Sequence, residues 1–128
     1  MSVAGGDMQD QVGLQLFLQL VEFGIMPKEA VSSARYVTYH TQDSFNPSPD
    51  PAVRMGKISG LEINETDQNT IDKLKSRGHD ISVVPGPLAY PAMIFFDQKT
   101  GMCYAATEPL YARVNNRGKF CAALSTTK

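Results

Sequence analysis

From Met8 to Phe23 the chain is apolar at most positions, and its polar exceptions recur with helical spacing. Gln11, Gln15, Gln19 and Glu22 fall at intervals of three and four, so a helix from about Met8 to Phe23 carries them as one polar stripe. Val12, Leu14, Leu16, Phe17, Leu18 and Val21 fill much of the remaining circumference. A helix this apolar is expected to lie buried between layers. Asp7 is placed to cap its start, and Asp10 puts a second carboxylate in the first turn, where the helix dipole favours it. Gly24 supplies the left-handed stop.

The pattern then changes character several times. Pro27 at a first helical position, with Glu29 following, predicts a short helix from Pro27 to about Ala34. Arg35 to His40 has the aromatic and β-branched content of a strand. Pro47, Pro49 and Pro51 rule out helix and central strand through the segment from Ser44, which reads as an extended loop. Strand is expected over Val53 to Ile58 and again over Leu61 to Ile63, with an interruption near Gly60. Asn64 is a candidate cap for a third helix running through Leu74 to Gly78, with Ile71 and Leu74 facing inward. Ile81 to Val84 reads as strand. Ala92 to Phe96 and Met102 to Ala106 flank Asp97 to Gly101 as a hairpin with glycine at its left-handed position. Past Pro109 the pattern is weak.

Helices and mostly antiparallel strands segregated along the chain give an α+β class, with a sheet carrying the long helix on one face. The 128 residues suit a single domain, 1–128, with one modest core. Twelve basic against 13 acidic side chains, a net charge of −1 and no basic stripe exclude nucleic acid as a partner. No apolar run approaches the roughly 20 residues of a membrane span, and MSVAGGDMQD has neither the basic start nor the apolar run of a signal peptide. The compartment stays open.

Cys103 and Cys121 match no metal template and read either as a pair or as two isolated thiols. His40 and His79 have no neighbouring ligand residues. No metal and no cofactor are expected. Asn64-Glu65-Thr66 matches the glycosylation acceptor pattern, a chance match in the absence of a secretion signal.

Gly5-Gly6, directly before the long helix, is the one site-like feature. Paired glycines let successive N–H groups point the same way without Cβ obstruction, and the helix start adds partial positive charge. Such donors can hold a developing oxyanion in acyl transfer. The same pair also serves a tight strand-to-helix turn.

The residues around this pair resemble a known family. Ala4-Gly5-Gly6-Asp7-Met8-Gln9-Asp10-Gln11, followed by an apolar helix closing on Val21-Glu22-Phe23-Gly24, resembles the P-G-G-D-M-Q-D-Q segment of γ-glutamyltranspeptidase-like proteins. Pro27-Lys28-Glu29-Ala30-Val31 and Ala34-Arg35-Tyr36 are similar to the family's "EA…APRF" step. Ile71 to His79 is similar to its "L…RGH" helix end, and Gly101 to Pro109 to its "G…YGASDPR" close. The matches keep their order over about residues 3 to 110.

The resemblance implies an N-terminal-nucleophile hydrolase fold, a four-layer αββα sandwich, of which this chain is the C-terminal portion of the small subunit. It implies acyl transfer from a γ-glutamyl amide such as glutathione to water or an amino acid. The nucleophile is a threonine freed by autoproteolysis, which uses its own amine as base. On this resemblance Gly5 and Gly6 form the oxyanion hole, while the threonine, a serine pair and the acidic group gripping the substrate amine belong upstream of them. The chain alone is then expected to be inactive. Its expected partners are the upstream part of the same protein or a second copy of itself. The alternative is a non-catalytic, self-associating interaction domain, because the apolar helix exceeds what the few strands can cover.

Four positions depart from the family pattern. Ala4 stands for a proline, Leu110 for an arginine, Ser33 precedes Ala34-Arg35 without the usual proline, and Pro91 replaces a small polar residue. The GGDMQDQ form also resembles an acylase-like branch. Arg35 and Asp7 are expected as a surface ion pair and a helix cap, and Asp10 as a dipole carboxylate.

Overall fold

The structure, a computed structural model, describes residues 1–54, 56 and 58–108. Strand β1 (Ser2–Ala4) leads through a 3-10 turn (Gly6–Met8) into helix α1 (Gln9–Val21). Helix α2 (Pro27–Ser32), strand β2 (Tyr36–Thr38), helix α3 (Pro51–Arg54) and strand β3 (Gly60–Asn64) follow. Helix α4 (Gln68–Ser76) and strands β4 (Asp80–Val84), β5 (Tyr90–Asp97) and β6 (Met102–Thr107) complete the described part.

The strands form two three-stranded sheets. One has the order β1-β5-β6 and is antiparallel throughout. The other has the order β2-β3-β4, with β2 antiparallel and β4 parallel to β3. The parallel pair is joined through α4, a connection that antiparallel neighbours do not need. The architecture is therefore mixed α/β with one antiparallel and one mixed sheet, compatible with part of an N-terminal-nucleophile hydrolase fold.

One core joins both sheets to α1 and α2. Val12 and Leu16 of α1 and Ala30 and Val31 of α2 pack with Met93 and Ala106 of the first sheet and Val37 of the second. Along β5 the burial alternates from Pro91 to Met93, and the intervening side chains turn to the other face. There Ile94 is 70% exposed and Phe96 56%. The helices thus cover one face of the first sheet and leave the other open.

The expectation of a buried long helix does not hold. Only Val12 and Leu16 of α1 are buried, while Phe17 is 52% and Val21 56% exposed. The physical reason is an inversion of the polar stripe. Gln11 donates from Nε2 to Thr38 O (2.9 Å) and accepts at Oε1 from Thr38 N (2.8 Å). Gln15 does the same with Tyr36 O (2.7 Å) and Tyr36 N (3.2 Å), and Gln19 accepts from the Ser33 hydroxyl (3.1 Å). Residues four apart on a helix rise about 6 Å, and residues two apart on an antiparallel strand rise about 6.8 Å. Two glutamine amides therefore match two strand positions and close the outer edge of β2 as a neighbouring strand would. The polar face looks inward, and the opposite apolar face is left outside.

Smaller differences have local causes. The expected strand beginning at Val53 is helical over Pro51–Arg54, started by Pro51 and by Asp50 Oδ1, which accepts from Ala52 N (2.9 Å). The cap of α4 is Asp67, accepting from Thr70 N (2.9 Å). Asn64 instead accepts from Arg35 N (3.1 Å) and donates to Gly86 O (2.7 Å), tying three segments together. The stops at Gly24 (φ 65), Gly78 (φ 92) and the hairpin turn at Gly101 (φ 72) are where the pattern puts them. Leu110, Cys121 and the weakly patterned tail from about 110 lie outside the described residues.

Candidate functional site

The chain leaves β1 at Ala4 and turns into α1 through Gly5 (φ 155, ψ 26) and Gly6 (φ 59), conformations that L side chains rarely adopt. The turn is pressed from two sides. A Cβ on Gly5 would stand 2.7 Å from the Ala89 methyl, and one on Gly6 would stand 3.0 Å from the Phe45 ring. Ala89 is itself buried at φ 61, a strained backbone for a residue with a side chain. Met8 N donates to Gly5 O (3.2 Å) to close the turn. The leading amides of the turn have no acceptor within it, and the 13 residues of α1 behind them add partial positive charge.

Both glycines line a cleft of about 380 Å³. Met8, Tyr39, Phe45 and Val53 give it apolar walls, while Asp7, Asp43, Thr38 and Thr41 give it polar ones. The loop bearing Phe45 is fixed by two carboxylates. Asp43 Oδ1 accepts from Phe45 N (2.9 Å) and Asn46 N (3.1 Å), and Asp7 Oδ2 accepts from Ser44 N (2.8 Å). Asp7 is therefore not a helix cap; no side-chain cap bond forms at this start. Hydrogen bonds from the Ser44 backbone and side chain hold its carboxyl below the ordinary range. Burial, together with the hydrogen bond from its hydroxyl to Glu62 (2.9 Å), pushes the Tyr39 phenol up. Among the described lining residues there is no histidine, cysteine or lysine to serve Thr38 or Thr41 as a base. The cleft sets the Gly5-Gly6 turn beside apolar walls.

Asp10 is exposed in the first turn of α1. Cys103 is half-buried on β6. Among the described residues no three His, Cys, Asp or Glu side chains cluster as metal ligands.

Arg35 is the residue that pattern reading placed wrongly. It is 2% exposed, not at the surface. Its guanidinium pairs with the buried Glu108 carboxylate and donates to Val31 O (2.7 Å) and Leu88 O (3.1 Å). It thereby joins the end of α2, the segment leading into β5 and the exit from β6. No local pattern carries this pairing, since Glu108 lies 73 residues away.

No protein-family model and no curated protein matches this chain. Solved structures do. A cephalosporin acylase from Bacillus halodurans matches 84% of this chain and 18% of its own, at 25% identity and TM-score 0.64. A γ-glutamyltranspeptidase from Helicobacter pylori matches over 84% of this chain and 51% of its own (20% identity, TM-score 0.57). The chain shares part of the γ-glutamyltranspeptidase fold. Another γ-glutamyltranspeptidase, from Pseudomonas nitroreducens and solved with L-DON, matches over 98% and 54% (14% identity, TM-score 0.66). The chain thus spans between 18% and 54% of the length of these N-terminal-nucleophile hydrolases.

Proposed function

We propose that this chain supplies the oxyanion-binding turn and one side of the αββα sandwich of an acyl-transfer enzyme acting on γ-glutamyl amides or related acyl amides. The observation that supports this reading most is the strained Gly5-Gly6 turn at the edge of a cleft, in a chain with this fold. The N–H groups beside Gly5 and Gly6 stabilise the tetrahedral oxyanion, where removing one donor costs a factor of about 100 or more in rate. A threonine contributed from outside the matched segment is the nucleophile, with its own amine as base. A second sheet from that same part covers the open face bearing Ile94 and Phe96, giving two sheets packed about 10 Å apart.

The test is hydrolysis of a chromogenic γ-glutamyl anilide. The isolated chain is expected to give no turnover. When the segment is joined to a threonine-bearing half, Gly6→Val should lower kcat at least about 100-fold. Turnover by the isolated chain that survives Gly5→Val with Gly6→Val would remove the site assignment.

The exposure of Ile94 and Phe96 favours a second reading, a non-catalytic module in which a second copy of the chain covers this face. Sedimentation separates the two. A dimer lost on Ile94→Asp supports the module, and a monomer that binds the complementary half supports the enzyme.

A further inference from the structure

The outward face of α1 is left uncovered by the described residues. Val12 and Leu16 pack with Met93 and Ala106 on the helix side of the β1-β5-β6 sheet. A sheet laid on Ile94 and Phe96 would pack on the opposite side of β1-β5-β6 from α1. Leu14, Phe17, Leu18 and Val21 are all exposed on α1 and recur at i, i+3, i+4 and i+7, the spacing of a helix–helix seam. At the start of this seam a groove of about 490 Å³ opens between α1 and β1, lined by Met1, Val3, Gly13, Leu14 and Phe17.

The charged side chains of α1 and of the turn that follows it are of one sign. Asp10 and Glu22 are exposed at the two ends of the seam, and no lysine or arginine occurs from Gln9 to Pro27. Two copies of α1 facing each other would bring acid to acid, Asp10 on Asp10 if parallel and Asp10 near Glu22 if antiparallel. Like charges brought together in this way oppose self-pairing. A complementary occupant has an apolar stripe ended by cations.

We propose that the outer face of α1 seats an amphipathic helix of another polypeptide, apolar along one stripe with a Lys or Arg at each end of it. Phe17 and Leu14 enter between its side chains, and Asp10 and Glu22 pair with its cations. The seat is separate from the Gly5-Gly6 cleft and from the open sheet face.

The probe is a fluorescent synthetic helical peptide with Leu and Phe at i, i+3, i+4 and i+7 and one Lys at each end, titrated with the full 128-residue chain. A second peptide carries Glu in place of both Lys. The Lys peptide is expected to bind about tenfold more tightly at low salt, with the preference lost in 1 M salt and in the Asp10→Asn, Glu22→Gln double variant. Phe17→Asp should weaken binding about 30-fold or more, while Ile94→Asp leaves it unchanged. Far-UV circular dichroism confirms that the variants fold. Equal binding of both peptides, no binding of either, or self-association abolished by Phe17→Asp overturns the proposal. No reaction is measured, so failure here leaves the acyl-transfer reading standing.

Discussion

Replacing Gln11 with alanine tests the idea that α1 closes the edge of β2 with its amides. The substitution deletes two well-formed hydrogen bonds, one to Thr38 O at 2.9 Å and one from Thr38 N at 2.8 Å. Each such bond contributes a net ~1 kcal/mol. Gln11 is only half-buried, so water recovers part of the loss, and a cost of about 1.5 kcal/mol is expected. With an m-value of about 1.5 kcal/mol per molar urea, the unfolding midpoint falls by about 1 M. Gln9→Ala, at an exposed position on the same helix, is the control and should shift it little. Gln11→Glu gives a second reading through pH. Its carboxylate faces the Thr38 carbonyl in the folded state, so its folded pKa rises above the usual ~4.3. An acid with a raised folded pKa adds stability at low pH and loses it as the pH climbs above the unfolded value. Gln11→Glu should therefore lie close to wild type near pH 4 and well below it at pH 7. If Gln11→Ala proves indistinguishable from Gln9→Ala, the glutamine ladder contributes nothing and the orientation of α1 needs another cause.

Other expectations follow from packing and charge. Gly5→Ala should destabilise by about 2 kcal/mol in thermal melts, since its Cβ meets the buried Ala89 methyl at 2.7 Å. Gly6→Ala should cost about 1 kcal/mol, because the exposed Phe45 ring can swing aside; a reversed order would contradict the turn geometry. Arg35→Met removes the guanidinium paired with the buried Glu108 carboxylate and should cost about 3–5 kcal/mol by urea unfolding, with Glu108→Gln restoring part of it. A loss under 1 kcal/mol would show that the pair is not buried in solution. The Ser44 amide proton should titrate with Asp7, with its midpoint below 3.8, because the folded pKa is depressed. The contact is present above that value and lost as the pH falls through the folded pKa, so an NMR midpoint at or above 3.8 would contradict it.

Much of the element order was legible because its signals are local. Pro27 at a first helical position and left-handed glycines at 24, 78 and 101 mark boundaries through backbone sterics alone, and the structure respects them. The facing of α1 was not legible. A stripe of Gln11, Gln15 and Gln19 reads as solvated when the only known property of glutamine is polarity. It becomes an inner face once a strand edge with the right repeat lies opposite, which is a tertiary fact. The burial of Arg35 was hidden for a similar reason, since its anion is Glu108, 73 residues away. At the site, the turn was visible as a glycine pair, but its cleft is walled by Tyr39, from a segment read as strand, and Phe45, from one read as an extended loop, and nothing local brings the two together.

The amide closure of β2 also limits how this molecule can grow. A sheet lengthens by offering unpaired N–H and C=O groups to a newcomer, and on β2 the outward groups of Tyr36 and Thr38 already have partners on α1. Further strands can join that sheet only beyond β4. A strand added to this sheet must therefore enter from the β4 side, which makes its growth directional.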